Sequence, residues 1–472
     1  MTWITKDKHF YKNVFTLAIP ISLQHLITFL VGFADNVMVG RLGDDAVSGV
    51  YLGGQLQFLL QQLAVGLGSA LLILTAQYWG KGDTAPIKRL IALVLRIGAV
   101  AALLMSLAVG LFPEQILSLF SNEAGALREG VDYLRIQSLS YLFFIVSQIL
   151  IYAMRSVETT RVGMMASLIT LIFNVVLNEL LIFGRLGLPA MGVRGAALAT
   201  VISSWMGPLL LLLFSSFQKN ILITSPARLF RFKRAQVGAF YRRAAPIILN
   251  ESLWGLGTVI FNVIFSNLGY EYYAAVTIHK TFENIAFVLF VGFCNACCIM
   301  VGKSVGAGKV ERAVMDSRRF AMIIPFVSLL AGAVIILLRA QLVSVFNMGG
   351  NISELTQRTA QTILLIYGLE LPMRNIPYIM IVGIFRSGGD TTTGMRLDLF
   401  SQWMLSIPAT FLAAFVLKLP FVVVYAIMYL FEDYVKSFLC LRHFLSDRWI
   451  HPVTKEGKQG YEKYLNERAH KA

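Results

Sequence analysis

Runs of about 20 predominantly apolar residues follow one another along nearly the whole chain, and that pattern removes most folds from consideration. A helix of about 20 residues crosses a hydrocarbon core of roughly 30 Å. Inside lipid every backbone N–H and C=O must be paired within the protein, so helices are the default solution. A membrane β-barrel would show short alternating segments instead. The 472 residues would be enough for two or three soluble domains, but 57% are hydrophobic and only 14% charged. Soluble chains are about a quarter charged. The expected spans are 14–39, 47–79, 88–112, 133–154, 162–184, 192–217, 240–268, 276–301, 319–340, 361–385, 395–417 and 419–441. The chain therefore reads as an all-α membrane protein with twelve transmembrane helices. Its second and seventh runs exceed the bilayer thickness and call for tilt or a helical extension.

Lys and Arg accumulate on the cytoplasmic side of membrane proteins. With the N-terminus inside, the cytoplasmic segments hold 31 of the 41 basic residues, so both termini are expected in the cytoplasm. Lys280 and Arg374 are read as lying within spans, and Arg386 and Lys436 as belonging to cytoplasmic segments. The net charge of +15 is then a topogenic signal that also meets anionic lipid. A nucleic-acid partner is not expected, because the basic residues are scattered over short loops. The first apolar run is too long for a signal-peptide core and has no small-residue cleavage site after it. The polar tail from about His443 reads as a short cytoplasmic helix or as disordered chain. Cys294, Cys297 and Cys298 lie in an apolar run with no His or acidic partner in the local motif, so they read as small packing residues.

The chain also repeats itself. Residues 18–83 and 244–309 align without a gap at an offset of 226, with 17 identities in 66 positions. Pro20 falls on Pro246, Asn36-Val37 on Asn262-Val263, Leu42-Gly43 on Leu268-Gly269, and Val65-Gly66 on Val291-Gly292. After a five-residue shift Arg155 meets Arg386, Gly163 meets Gly394 and Pro189 meets Pro420. Each copy holds six spans, an even number, so the two copies share one orientation. Two homologous six-helix bundles related as parallel repeats fit alternating access about a central cavity. The expected organisation is a first lobe at 1–218, a basic linker at 219–239, a second lobe at 240–442 and a tail at 443–472. Gly80-Lys81-Gly82 and Gly306-Ala307-Gly308 lack the ending of a phosphate-binding loop and read as tight turns. Gly192–Ala197 offers small residues for close helix packing.

Several of these segments carry a family likeness. Ala18-Ile19-Pro20 opens the first span, and Asp35-Asn36-Val37-Met38-Val39-Gly40-Arg41-Leu42-Gly43 closes it. Asn174 and Asn178 follow on span five, Gly195–Thr200 on span six, and Arg386-Ser387-Gly388-Gly389-Asp390-Thr391 after span ten. As an ordered set covering about 14–442, they resemble the MATE family, the multidrug and toxic compound extrusion transporters. The resemblance implies two six-helix bundles and export of organic cations or toxic metabolites driven by entry of Na⁺ or H⁺. One departure stands out: relatives often carry a carboxylate where this chain has Asn178, so the corresponding site here has one fewer charge.

Polar groups within spans are costly and mark candidate positions. A carboxylate near a span centre costs about 2.5–3.5 kcal/mol on insertion scales, and less towards an end. Asp35 lies five residues before Gly40, so a rise of 1.5 Å per residue puts it about 7–8 Å below the outer end of the first span. Gln24 and Thr28 share its stripe, and Asn174 and Asn178 share a face by their i, i+4 spacing. These residues read as a cation site, with charge from Asp35 and neutral oxygens from Asn174, Asn178 and Thr200; a proton on Asp35 is an alternative occupant. The bland alternative is an interhelical hydrogen-bond cluster. In the second half Glu251, Lys280, Glu283, Glu370 and Asp398 read as a second coupling or substrate site. Glu370 and Arg374 are spaced for an ion pair, and Lys280 is a candidate neutraliser of Glu251 between transport cycles. Gln24, Thr28, Trp254 and Phe287 are candidates for lining a substrate cavity, the aromatics through cation–π contact. No ordered catalytic set or metal-binding spacing appears among His25, His279 and the acidic residues, so an enzyme is not expected and no cofactor is implied beyond the coupling Na⁺ or H⁺. The competing readings are a flippase for a lipid-linked saccharide, which needs a strongly cationic cavity, and a channel, which needs a selectivity filter. A monomer in contact with membrane lipid is expected.

Overall fold

A computed structural model describes residues 7–120, 123–217, 234–346 and 352–470, so 219–233 of the expected linker lie outside the described residues. Twelve long helices follow in order: α1 (Lys8–Val39), α2 (Asp44–Lys81), α3 (Thr84–Leu111), α4 (Ala124–Ser156), α5 (Thr160–Phe183) and α6 (Gly192–Phe217), then α7 (Arg234–Ser266), α8 (Tyr270–Gly306), α9 (Val310–Phe346), α10 (354–388), α11 (Thr391–Val416) and α12 (421–445). A thirteenth, α13 (Lys455–Ala469), lies in the polar tail and starts at Thr454, whose side chain accepts from the Gly457 N–H. Every expected span is a helix, and the fold is that of an all-α membrane protein of two six-helix repeats.

Among the described residues ten helices are long and apolar enough to cross a membrane. The other two of the twelve, α10 and α12, are interrupted by charge: Glu370 and Arg374 on one, Glu432, Asp433 and Lys436 on the other. Several helices outrun the apolar stretches that announced them. Helices α8 and α9 have 37 residues each, about 55 Å at 1.5 Å per residue. Their expected spans were shorter because hydropathy registers only lipid-facing length, whereas polar turns such as 302–306 and 310–318 continue the helix beyond it.

The backbone of the second half departs locally from α-helical hydrogen bonding. Stretches of π-helix occupy Ile379–Phe385 in α10, Phe400–Ser406 and Leu412–Val416 in α11, and Leu430–Tyr434 in α12. Such widened turns shift side chains out of the 3.6-residue register and are frequent at functional sites. Here one of them carries Glu432 and Asp433, and another carries Gln402.

Close contacts follow the small residues. A Cβ on Gly195 in α6 would stand 2.5 Å from the Leu181 carbonyl oxygen of α5, so only glycine lets these helices approach this far. Gly80 lies against the Lys303 carbonyl and its repeat mate Gly306 against the Gln77 carbonyl, so α2 and α8 cross at the paired glycines. The turns beyond them need the left-handed backbone of Gly82 (φ 78°) and Gly308 (φ 75°). All four cysteines are free and buried.

By contacts the chain forms two compact units. One comprises the described parts of Leu23–Thr75 and Asp83–Ile248; the other comprises the described parts of Met1–Ser22, Ala76–Gly82 and Leu249–Ala472. Helices α1, α2 and α7 therefore each contribute to both. In α1 and α7 the change of unit falls just after the repeat-related Pro20 and Pro246, where the helix lacks an N–H.

Candidate functional site

In the first unit, α1, α5 and α6 converge on Asp35. The Asn178 amide donates to the Asp35 carboxylate and also, at 3.4 Å, to the Asn174 Oδ1. Asn174 in turn donates to Ser203 Oγ at 3.4 Å. Both asparagines are fully buried, and Asp35 is half-buried. Tyr133 of α4 is within electrostatic reach of Asp35. The Asn178 Oδ1 is buried without a hydrogen-bond partner, a costly state for an amide oxygen. Thr200 is not in this chain of contacts, because its hydroxyl donates to the Ala196 carbonyl of its own helix. Ser203 stands where Thr200 was expected. It lies three residues on, on the same face of α6, and that spacing was the signal available for it.

The stripe containing Gln24 and Thr28 has a different use. Gln24 is buried, donates to Ser167 Oγ at 3.3 Å and accepts from Arg155 Nη2 at 2.9 Å. Thr28 donates to the Gln24 carbonyl. Gln24 is thus a packing and hydrogen-bonding residue beside Arg155, not an open cavity wall.

The second unit gathers a larger set of charges. Arg386 donates to Glu251 at 2.8 Å. Arg374 lies 2.6 Å from Glu283 and 3.8 Å from Asp433, above the Tyr429 ring. Lys436 lies 3.1 Å from Asp398, 3.2 Å from Glu432 and 3.7 Å from Asp433. Asn250 donates to the other oxygen of Asp398. One expectation is corrected, and one ion pair was not foreseen. Arg374 does not pair with Glu370, since a nearer carboxylate on α8 captures it, and Glu370 accepts from Tyr434 instead. Lys280 binds Asn262, and the ionic partner of Glu251 is Arg386. Arg386 and Lys436 are not loop residues either: both are buried, on α10 and α12. Arg374 and Lys436 together meet four carboxylates (Glu283, Asp433, Asp398 and Glu432), and Lys280 also acts electrostatically on Glu283, so carboxylates still exceed cations by one.

The aromatic candidates remain at the edge of this network. Trp254 is half-buried and its carbonyl accepts from Gln402. Phe287 packs on Tyr378 with ring centroids 5.0 Å apart. Tyr429, which lies under Arg374, and its neighbour Tyr425 were not singled out in the sequence. Tyr425 shares a hydrogen bond with His279 Nδ1 at 3.0 Å and another with Tyr429 at 3.2 Å.

At the turns that follow α2 and α8 the tail packs onto its own unit. The Val453 N–H donates to Gln77 Oε1 and Thr454 to the Gly306 carbonyl. The His451 N–H donates to the Gly388 carbonyl, and Trp449 is fully buried. Asp390 caps α11. Burial opposes its charge, but hydrogen bonds from His443 and Thr393 outweigh that and hold its carboxyl below the usual range.

Twelve membrane helices in two like-oriented repeats, with carboxylates and ion pairs inside the spans, define a polytopic membrane transporter. The family model MatE matches residues 20–180 and 246–412, two copies that start 226 residues apart as the internal repeat does, and the chain belongs to that family. A probable multidrug resistance protein NorM of Thermotoga maritima is 24% identical over 447 residues, covering 93% of each chain. One from Halalkalibacterium halodurans is 28% identical over 428 residues, covering 85% of this chain and 87% of its own. Among solved structures, the Vibrio cholerae MATE transporter VcmN in its bent form superimposes with a TM-score of 0.82 at 17% identity, covering 94% of this chain and 99% of that one.

Proposed function

We propose that the protein is an ion-coupled secondary antiporter of the cell membrane, with both termini cytoplasmic, that works as a monomer and exports organic cations, drugs or toxic metabolites by alternating access. Two lobes, 1–218 and 240–442, would be the moving bodies. Names of relatives support the multidrug part of this reading. The observation that carries the coupling is the Asp35 cluster: a carboxylate within a span, an amide donor directed at it, and a buried Asn178 Oδ1 with no partner beside it.

Either coupling ion uses this site, but at different cost. A proton needs only the carboxylate, which it neutralises where Asn178 already donates. For Na⁺ the Asn178 amide would turn its oxygen inward, with the Asn174 and Ser203 oxygens completing the set. The present arrangement of donors favours the proton. A second coupling position is supported by the formal deficit of positive charge around Arg374 and Lys436 and by the Glu370 Oε2, which is buried without a partner. The flippase alternative is not favoured, because buried carboxylates outnumber the basic groups of this network.

The test is efflux of a fluorescent organic cation from proteoliposomes under separately imposed Na⁺ and H⁺ gradients. An H⁺ gradient should drive it, and Asp35→Asn should abolish the driven component while the variant still inserts and folds. Gradient-driven efflux that survives in Asp35→Asn would remove Asp35 from coupling. No response to either gradient would remove the antiporter reading.

A further inference from the structure

The repeat places two arginines in equivalent positions and gives them different company. At its two offsets Arg155 corresponds to Arg386, and His25 to Glu251. The structure keeps both pairs together. Arg386 is neutralised by the Glu251 carboxylate at 2.8 Å, whereas Arg155 Nη2 lies 3.3 Å from His25 Nε2. A guanidinium has only donors, so His25 Nε2 is the acceptor and the proton of a neutral imidazole is on Nδ1. His25 therefore supplies no counter-charge. Arg155's other contacts are also neutral: the Gln24 Oε1 at 2.9 Å and Tyr152, which hydrogen-bonds to it and whose ring lies 4.8 Å from the guanidinium carbon.

Arg155 is 2% exposed, and its Nε and Nη1 are both buried without a hydrogen-bond partner. Among the described residues no carboxylate pairs with it. A buried cation with two unused donor nitrogens is a high-energy arrangement unless an anion completes it. His25 is half-buried and lies within an arc of about 100° on α1 with Thr28 and Asp35, counting 100° per residue.

We propose that Arg155, with Gln24 and His25 positioning it, forms an anion subsite in the first unit that takes a compact anion, either the carboxylate of a transported molecule or a free halide. Arg155 Nε and Nη1 donate to the anion. Asp35 stands ten residues along the same face, about 15 Å away at 1.5 Å per residue. The first unit thus offers a negative pole and a positive pole, and the substrates it suits extend from simple cations to zwitterions that carry an amine and a carboxylate. The subsite is separate from the coupling cluster, and its binding can be tested whether or not the antiport reading holds.

His25→Glu is the decisive variant, because it gives Arg155 the counter-ion that Arg386 has. Thermal melting of the full chain in detergent should show stabilisation of the wild type by chloride, or by a fluorescent zwitterion, over an ionic-strength control. In His25→Glu the anion-free protein should melt higher and the anion response should vanish. Arg155→Gln, which keeps a polar group beside Gln24, should also lose the response. Binding of the zwitterion and of its methyl ester then separates the two sources of anion. If the substrate carboxylate is the ligand, the wild type should prefer the acid by about tenfold, the scale of one charge-assisted hydrogen bond, and His25→Glu should lose that preference. Chloride stabilisation without acid–ester discrimination assigns the subsite to the halide. Identical anion responses in the wild type and both variants would overturn the proposal.

Discussion

A carboxylate inside a span is held in two ways here. Among the described residues Asp35 has one amide donor and no cation, so it can exchange a proton or a cation, whereas Glu251 is tied to Arg386. Breaking a buried pair strands the remaining charge. Arg386→Gln should therefore destabilise the protein by about 3 kcal/mol, and the double variant Glu251→Gln/Arg386→Gln should recover part of that loss in detergent melting. Equal melting of the single and double variants would show that the two charges are not coupled. The residue types were legible in the sequence because a charge in an apolar run is conspicuous. Their partners were not. Arg374 could be assigned to Glu370 by helical spacing alone, but the carboxylate that captures it, Glu283, is 91 residues away. Thr200 and Ser203 lie on one helical face, and only packing against Asn174 selects the serine.

At the level of elements, small residues decide how closely helices approach, and approach decides whether polar groups meet. Gly195→Ala would push α6 from α5 at Leu181 and stretch the Asn174–Ser203 hydrogen bond. We expect a loss of about 1–3 kcal/mol, the usual cost of overpacking, together with weaker coupled efflux; both are read from melting and transport on one preparation. Helix positions were readable because hydropathy follows lipid contact. Helix ends were not, since a polar turn can continue a helix or leave it depending on what packs beside it. The π-helical turns of α10, α11 and α12 had no local signature either.

Across the molecule, the tail is part of a packed body rather than a loose extension. Trp449 is wholly buried beside Gly388, and Glu456 pairs with Lys81 at 3.1 Å. Trp449→Ala should cost about 3 kcal/mol, visible as earlier melting, and truncation after Leu445 should cost at least as much by also freeing Gln77 and Gly306. Unchanged melting of the truncated chain would show that the tail adds no stability. The contact units also cut across the two sequence halves: 7–22 and 76–82 pack with the second half, and 234–248 with the first. The chain by itself determined the helical membrane class, the twelve spans, the duplication and the likeness to MATE transporters, because hydropathy, period and internal identity are properties of one strand of residues read in order. Only the tertiary structure decided that His25 leaves Arg155 without a counter-ion while Glu251 neutralises Arg386, because pairing depends on groups 130 and 135 residues apart being brought within hydrogen-bonding distance.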